Sequence, residues 1–422
     1  MTADDRQSTG SKPLALLSAP GSRGDVNPMV AIGRELTRRG FDVAISLAEP
    51  YVEVAENAGL QAHSSIDRTT FDTMLGDKRV WNFVFGMRRV LSAVAAEYAA
   101  PHVEWIRSLY RPGRTVLVSH PLDFGSRVFR DLEPNCPLVG IHLAPVMLRT
   151  KEDPPHLTPW GFGPGRTRAT FDLSYWIADR LVLDRILGKP INRLRRRLGL
   201  PSVRRLMHEW WLSPDAVLAM YPDWFAPATK GFLPQLHHAG FPLEDVSDVE
   251  FDAPSNRPVV FTGGTANRHS RAFFERAQNV CVKLNVPGIL LASHEDCFPS
   301  KLADCMRTMR YAPLGKLLPH CRAIVHHGGI GTTSQALACG VPQSVRPMAF
   351  DQFDNAAKVI ALDAGKRLRR DEDLKSDLGA LLKDKTIEAS LTELSQRSSL
   401  GAGAINAADR IERVLNAANG KF

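Results

Sequence analysis

Twice in this chain a short apolar run breaks at a glycine-bearing turn and hands over to a segment with helical periodicity. The first instance is P-L-A-L-L-S-A at 13–19, which stops at Pro20-Gly21. After Pro28, residues Met29, Ile32 and Leu36 recur at helical spacing, Gly40 closes the segment, and F-D-V-A-I-S-L reads as a second strand. In the second half, R-P-V-V-F-T at 257–262 runs into Gly263-Gly264. A helix of about 20 residues is expected next, since the apolar spacing is helical. Gly288 to Ala292 then reads as a strand, and Ala323 to Val325 as the core of another that ends at His326-His327-Gly328-Gly329. Two separate strand–turn–helix alternations predict two doubly wound α/β domains, with a ligand cleft between them. The boundaries fall at 1–240 for the first domain and 257–400 for the second. An acidic, proline-bearing linker at 241–256 joins them, and a final helix at 401–422 is expected to return to the first domain.

Composition is compatible with that size. The chain has 422 residues, 44% apolar and 23% charged, so it can bury two cores and is not globally disordered. Lysine and arginine exceed aspartate and glutamate, 53 against 45, for a net charge of +8. That balance favours anionic partners, among them nucleotides, nucleic acids and acidic membrane surfaces. Cys136, Cys281, Cys297, Cys305, Cys321 and Cys339 include no C-x-x-C pair and read as reduced thiols of a cytoplasmic protein. Residues 1–12 are polar, without a signal-peptide core, and no run approaches the ~18 apolar residues that span a bilayer. The sequence therefore predicts a soluble or peripherally attached protein.

Three motifs carry chemistry. V-H-H-G-G-I-G-T-T-S-Q-A-L-A-C-G-V-P, 325–342, is a strand end, a glycine-rich turn and a helix expected to start near Thr332 or Thr333. Free N–H groups and the positive end of a helix dipole suit a diphosphate. His327, Thr332 and Thr333 are placed to donate further hydrogen bonds to it, and Gly329 and Gly331 admit its bulk. In M-A-F-D-Q-F-D-N-A, Asp351 and Gln352 offer acceptors and donors that fit adjacent sugar hydroxyls, or else Asp351 caps the following helix. In A-P-G-S-R-G-D-V-N-P, 19–28, the loop after the first strand carries Asp25 but no G-x-G-x-x-G dinucleotide fingerprint. Asp25 could take a proton from an acceptor hydroxyl, or serve a helix start or Arg23. Between 160 and 225 the chain concentrates aromatics (Trp160, Phe162, Phe171, Tyr175, Trp176, Trp210, Trp211, Trp224, Phe225) and arginines (Arg193, Arg195, Arg196, Arg197, Arg204, Arg205).

H-H-G-G-I-G-T-T, G-V-P and D-Q, together with G-S-R-G-D-V-N-P, resemble the family 1 glycosyltransferases of GT-B fold, which include sterol, macrolide and glycopeptide-aglycone enzymes. The more extended similarity is to the rhamnosyltransferases of rhamnolipid synthesis, through G-D-K-R-V-W, I-N-R-L-R-R-R-L-G-L, Y-P-D-W-F-A-P, A-G-F-P-L, Y-A-P-L-G-K-L-L-P and D-Q-F-D-N-A. The resemblance implies roles. Asp25 lies where plant members carry a catalytic histidine and sterol and glycopeptide enzymes an aspartate. His120 falls about where plant enzymes place the aspartate orienting that histidine, so a swapped Asp25–His120 pair is one reading and a structural histidine at a strand end the other. His327 matches the diphosphate-contacting histidine, with His326 as its substitute. Gly264 and Thr265 stand near the phosphates, Tyr311 and Ala312 where a base-stacking tryptophan sits, and Gln335 where a glutamate meets the ribose. Asp351 and Gln352 match the pair that holds the donor sugar.

The resulting expectation is an inverting transferase that uses no metal and no resident cofactor. It would move rhamnose or glucose from a TDP- or UDP-sugar to a hydroxyl of a lipophilic small molecule. Burial in the cleft is expected to raise the Asp25 pKa for base work. The D-x-D run Asp371-Glu372-Asp373 reads as a solvated helix start rather than a metal site. The acceptor belongs to the first domain, whose arginines suit a carboxylate or an anionic membrane surface; half of them read simply as a solvated helix face. A nucleotide-sugar epimerase or hydrolase of the same architecture and a non-catalytic nucleotide-sugar-binding protein remain alternatives. Nucleic acid is disfavoured, because the aromatics and arginines fit no recognised module.

Overall fold

The computed structural model describes residues 12–82, 85–158, 167–228, 233–244, 251–399 and 402–420. Trp160, Phe162 and part of the expected linker lie outside these residues. The chain forms two wholly parallel sheets. The first contains β1 (Leu14–Ala19), β2 (Asp42–Ala48), β3 (Gln61–Ile66), β4 (Thr115–Ser119), β5 (Leu138–His142), β6 (Ala216–Ala219) and β7 (Leu236–His238), in the spatial order β3-β2-β1-β4-β5-β6-β7. The second contains β8 (Val259–Thr262), β9 (Gly288–Leu291), β10 (Met306–Met309), β11 (Ala323–His326), β12 (Gln343–Val345) and β13 (Gly365–Arg367), in the order β10-β9-β8-β11-β12-β13. Central strands are buried on both faces, as in L-A-L-L-S-A of β1 and V-V-F-T of β8. Continuous apolar runs of this kind, rather than alternating ones, are what a parallel sheet sandwiched between helices requires.

Each strand order reverses once, between β1 and β4 in the first sheet and between β8 and β11 in the second. Loops leaving the carboxyl ends of these neighbouring strands diverge to opposite faces and leave a crevice, which is where open α/β sheets bind ligands. The sheets therefore offer two crevices, and the residues after β1, β4, β8 and β11 line them.

Several elements differ from the sequence reading. The helix after β1 begins at Arg23, not after Pro28, and runs Arg23–Arg38 with Pro28 in its second turn. The helix after β8 is shorter and later than expected, Arg271–Leu284, because 263–270 is used as loop. The helix after β11 begins at Ile330, ahead of the two threonines.

The helix Gly403–Ala418 packs on the first sheet's helix Arg23–Arg38. Its Ala404, Ala407, Ala408, Ile411 and Leu415 sit in one apolar cluster with residues of β1, β2, β4 and β5. At its start the helix runs close against the backbone after β7, where a Cβ on Gly403 would stand 2.5 Å from the Phe241 carbonyl oxygen. Truncating Ile411 to alanine there would cost about 2–5 kcal/mol, as for other buried large-to-small changes.

Candidate active site

A cleft of about 860 Å³ runs between the two sheets, and both crevices open into it. From the first half it is lined by Asp25, His120 and a largely apolar wall that includes Met74, Val80, Met87, Leu91, Val94 and Met147. From the second half it is lined by Gly264, Thr265, Tyr311, Ala312, His327, Gly329, Gly331, Thr332, Gln335, Asp351 and Gln352.

Asp25 sits in the first turn of its helix, three residues after the cap residue Ser22. The motif S-R-G-D is a capping box, in which the acid reaches back to the cap. Asp25 Oδ2 accepts the Ser22 N–H at 2.7 Å and the Ser22 hydroxyl at 3.2 Å. Its Oδ1 lies 3.3 Å from His120 Nε2. His120 Nδ1 accepts the Leu122 N–H at 3.2 Å, which puts the ring proton on Nε2, toward Asp25. Burial alone would raise the Asp25 pKa, but His120 and the Ser22 donors outweigh it and hold the carboxyl below its ordinary value. The expected upward shift is thus overturned, because two residues donate hydrogen bonds to the charged form.

Behind this pair lies a buried polar network that spacing gave no sign of. Ser18 Oγ, 3.4 Å from the His120 N–H, donates to Asp123 Oδ2 at 2.5 Å. Asp123 is 3.1 Å from His102 Nε2, and His102 Nδ1 is 3.1 Å from the Tyr98 hydroxyl. These groups come from β1, from the start of the helix after β4 and from the helical stretch that carries Tyr98 and His102, and the network fixes their spacing beneath His120.

In the second half His327 is held between two glycines. A Cβ on Gly264 (φ +87°) would stand 2.7 Å from its Cε1, and one on Gly329 would stand 2.6 Å from its Nε2. Only glycine leaves room for the ring at both places. His327 Nδ1 is buried with no hydrogen-bond partner, and burial pushes its pKa down to about 4. An unpaired buried nitrogen costs free energy that a ligand can recover. Next to it the helix Ile330–Ala338 starts at Gly329, which has no side chain to cap the first N–H groups.

Two expected donor contacts are not at the cleft. His326 is fully buried, accepts the Gly328 N–H at 3.1 Å and lies 3.0 Å from Gln343 Oε1. It is one residue before His327 at a strand end, so it points to the opposite side, into the sheet's own packing. Thr333 is fully buried and absent from the lining, because it lies one helical position round from Thr332.

Asp351 precedes the helix Gln352–Ala361 but does not cap it with its side chain. Its Oδ2 instead accepts Asn355 Nδ2 at 2.7 Å. Burial, only partly opposed by Asn355 and reinforced by the charge of Asp25, pushes its pKa up to about 7. Gln352 Oε1 accepts the N–H groups of Met348 and Ala349 at 2.8 and 3.1 Å, which orients the amide in the cleft wall. Gln335 Nε2 donates to the Leu243 carbonyl at 2.9 Å and so ties the second half to the segment that enters it. Arg23 crosses from the first half and places its guanidinium 4.0 Å from the Tyr311 ring centre. The D-x-D run is a short turn outside the cleft lining, with Asp371 ion-paired to Arg346 and Asp373 to Arg370.

Comparison with known proteins agrees with this architecture. Residues 288–404 match the family model described as erythromycin biosynthesis protein CIII-like, C-terminal domain. The O-mycaminosyltylonolide 6-deoxyallosyltransferase of Streptomyces fradiae is 28% identical over 384 residues, covering 84% of this chain and 85% of the relative. The solved glycosyltransferase of kitacinnamycin superposes with a TM-score of 0.70 at 19% identity, over 96% of this chain and 99% of that one. A glycosyltransferase solved in complex with DTDP superposes at 0.65 and 18% identity, over 96% of this chain and all of that one. The long sequence match, the family model over residues 288–404 and the shared two-sheet fold make this chain a glycosyltransferase of GT-B architecture.

Proposed function

We propose that the enzyme moves a hexose, rhamnose or glucose, from a TDP- or UDP-sugar to a hydroxyl of an apolar small molecule. It would do so by one inverting displacement and without a metal ion. The observation that carries this reading is the opposition, across one cleft, of the Asp25–His120 pair and the unpartnered His327 beside an uncapped helix start. The apolar wall of the first half suits a lipophilic acceptor such as a hydroxy fatty acid or a phenolic aglycone. A relative named as an O-mycaminosyltylonolide 6-deoxyallosyltransferase and a solved neighbour in complex with DTDP support a small-molecule acceptor and a thymidine nucleotide donor.

In this reading Asp25 is ionised throughout the neutral range and takes the acceptor's proton as that oxygen attacks the anomeric carbon. The bond to the diphosphate oxygen breaks on the opposite face, which inverts the centre. Negative charge grows on the leaving diphosphate. His327, Thr265, Thr332 and the N–H groups that open Ile330–Ala338 would receive it. Because these donors can carry that charge, the step asks for no metal. Asp351 and Gln352 would hold the sugar hydroxyls, with Asp351 near its titration midpoint and able to donate as well as accept. Tyr311 and Gln335 would meet the nucleoside.

The test is product mass spectrometry with chelator present, pairing TDP-rhamnose or UDP-glucose with a hydroxy fatty acid ester or a phenolic acceptor. A glycoside in any pairing is the expected result and names the donor. Donor consumed without a glycoside would favour an epimerase or hydrolase. Donor bound but unchanged with every acceptor would favour a binding protein.

A further inference from the structure

The first half carries an exposed surface that the transfer chemistry does not use. The helix Arg168–Ala178 continues through a wide turn, Asp179–Leu183, into the helix Asp184–Arg197. Along it Leu173, Trp176, Ile177, Leu181 and Val182 are exposed, Leu173 at 56% and Trp176 at 51%. Leu173, Ile177 and Leu181 follow one another at four-residue spacing, so they form a stripe rather than a scatter. The helix Phe85–Ala93 packs beside Asp184–Arg197 and adds Phe85, 59% exposed, and Met87. Single exposed apolar residues are ordinary, but a contiguous set marks an interaction surface.

The helix Asp184–Arg197 and the segments that flank it are strongly basic. Arg180, Lys189, Arg193, Arg196 and Arg204 line a groove of about 480 Å³, and Arg180 directly precedes Leu181 of the stripe in the chain. The acid in that groove, Asp184, already accepts the N–H groups of Arg205 and Leu206. Arg88 and Arg89 are exposed next to Met87. The patch also continues into the cleft, since Met87, Val90, Tyr175, Ala178 and Val182 line its apolar side.

We propose that this face docks on an anionic lipid surface, with the Leu173–Val182 stripe and Phe85 dipping into the headgroup boundary and the basic groove meeting lipid phosphates. An apolar strip flanked by cations is the arrangement that holds a protein in the membrane interface. Docked in this way, the mouth of the acceptor side opens at the bilayer, and a lipophilic acceptor can enter without crossing water. Entry of the acceptor rests on the function proposed above; the docking does not.

Vesicle flotation of the full chain, with neither donor nor acceptor present, tests it. The protein should float with vesicles containing phosphatidylglycerol, not with phosphatidylcholine alone, and should be released by high salt. Each arginine neutralised near such a surface removes about 1 kcal/mol, or roughly fivefold in affinity. Arg193→Gln/Arg196→Gln should thus weaken flotation by about 25-fold, and Trp176→Ser/Leu181→Ser should weaken it independently of salt. Asp25→Asn should float like the parent, which separates docking from catalysis. Failure of the parent to float at low salt, or flotation unchanged in both paired variants, overturns the proposal. So does a dimer in solution that Trp176→Ser/Leu181→Ser dissociates, because the stripe would then be a protein interface.

Discussion

Asp25 and Asp351 look into one cleft from opposite halves, and their surroundings push them in opposite directions. Asp25 accepts hydrogen bonds from Ser22 twice and from His120, so its charge is favoured despite burial. Burial raises the pKa of Asp351 to about 7, because a single hydrogen bond from Asn355 opposes it and the charge of Asp25 adds to it. Two carboxylates set apart in this way mark a division of labour, one fixed as an anion and the other poised to give or take a hydrogen bond. The difference does not come from depth of burial, which disfavours the charge of both. It comes from which polar groups the local backbone brings up.

Replacing each acid by its amide is the sharpest way to break that contrast. Asp25→Asn should lower kcat by about 10²–10⁴-fold, the usual worth of a general base, with nucleotide affinity unchanged by calorimetry. Asp351→Asn should weaken donor binding yet leave the fold as stable or more stable at pH 8. The sign follows from linkage: a folded pKa raised from 3.8 to about 7 favours the folded state below pH 4 and loses that contribution as pH rises through 7. The amide removes a penalty on the order of 2 kcal/mol, allowing for partial exposure. A melting temperature that falls at pH 8 in Asp351→Asn, or full activity in Asp25→Asn, would dissolve the contrast.

His327→Ala comes next. Loss of a hydrogen bond to a charged phosphate should weaken nucleoside diphosphate binding by about 10–100-fold. Because burial holds the free ring down to about 4, a bound diphosphate should raise its pKa and draw in a proton near pH 6. Calorimetry in two buffers of different ionisation enthalpy reads that uptake directly. Equal heats, with affinity unchanged in the variant, would move the anion away from this ring.

His120→Ala is the finest probe. Removing the Nε2–H donor should raise the Asp25 pKa, so the acid limb of kcat/KM moves to higher pH and the rate at neutral pH falls about tenfold. His120→Gln, which keeps an N–H donor, should fall between. A limb that stays in place in both variants would show that the Ser22 donors alone set Asp25.

Much of this was legible in the residues, for identifiable reasons. His327, Asp351 and Asp25 follow strand ends or glycine turns, and doubly wound sheets expose such positions. The choice between His326 and His327 needed the two-residue alternation of a strand, and that between Thr332 and Thr333 the angular step of a helix. The S-x-x-D pattern of Ser22 and Asp25 was readable too, and it would have warned that the acid is hydrogen-bonded. The Asp25 shift also depends on His120, far along the chain and brought near only because β4 lies beside β1. The same holds for the Ser18–Asp123–His102–Tyr98 network and for most of the apolar wall, where Met87, Leu91 and Val94 share a helical spacing but Met74, Val80 and Met147 come from separate elements.

The helix Gly403–Ala418 places the last described stretch of the chain inside the packing of the half that is made first. On a ribosome the first half therefore emerges early but waits, with part of the apolar cluster that holds Val30, Ile32 and Val116 uncovered, until the second half has been synthesised. Domains otherwise tend to fold in the order they emerge. Here the half translated second can close its own core sooner, and the half translated first is finished last.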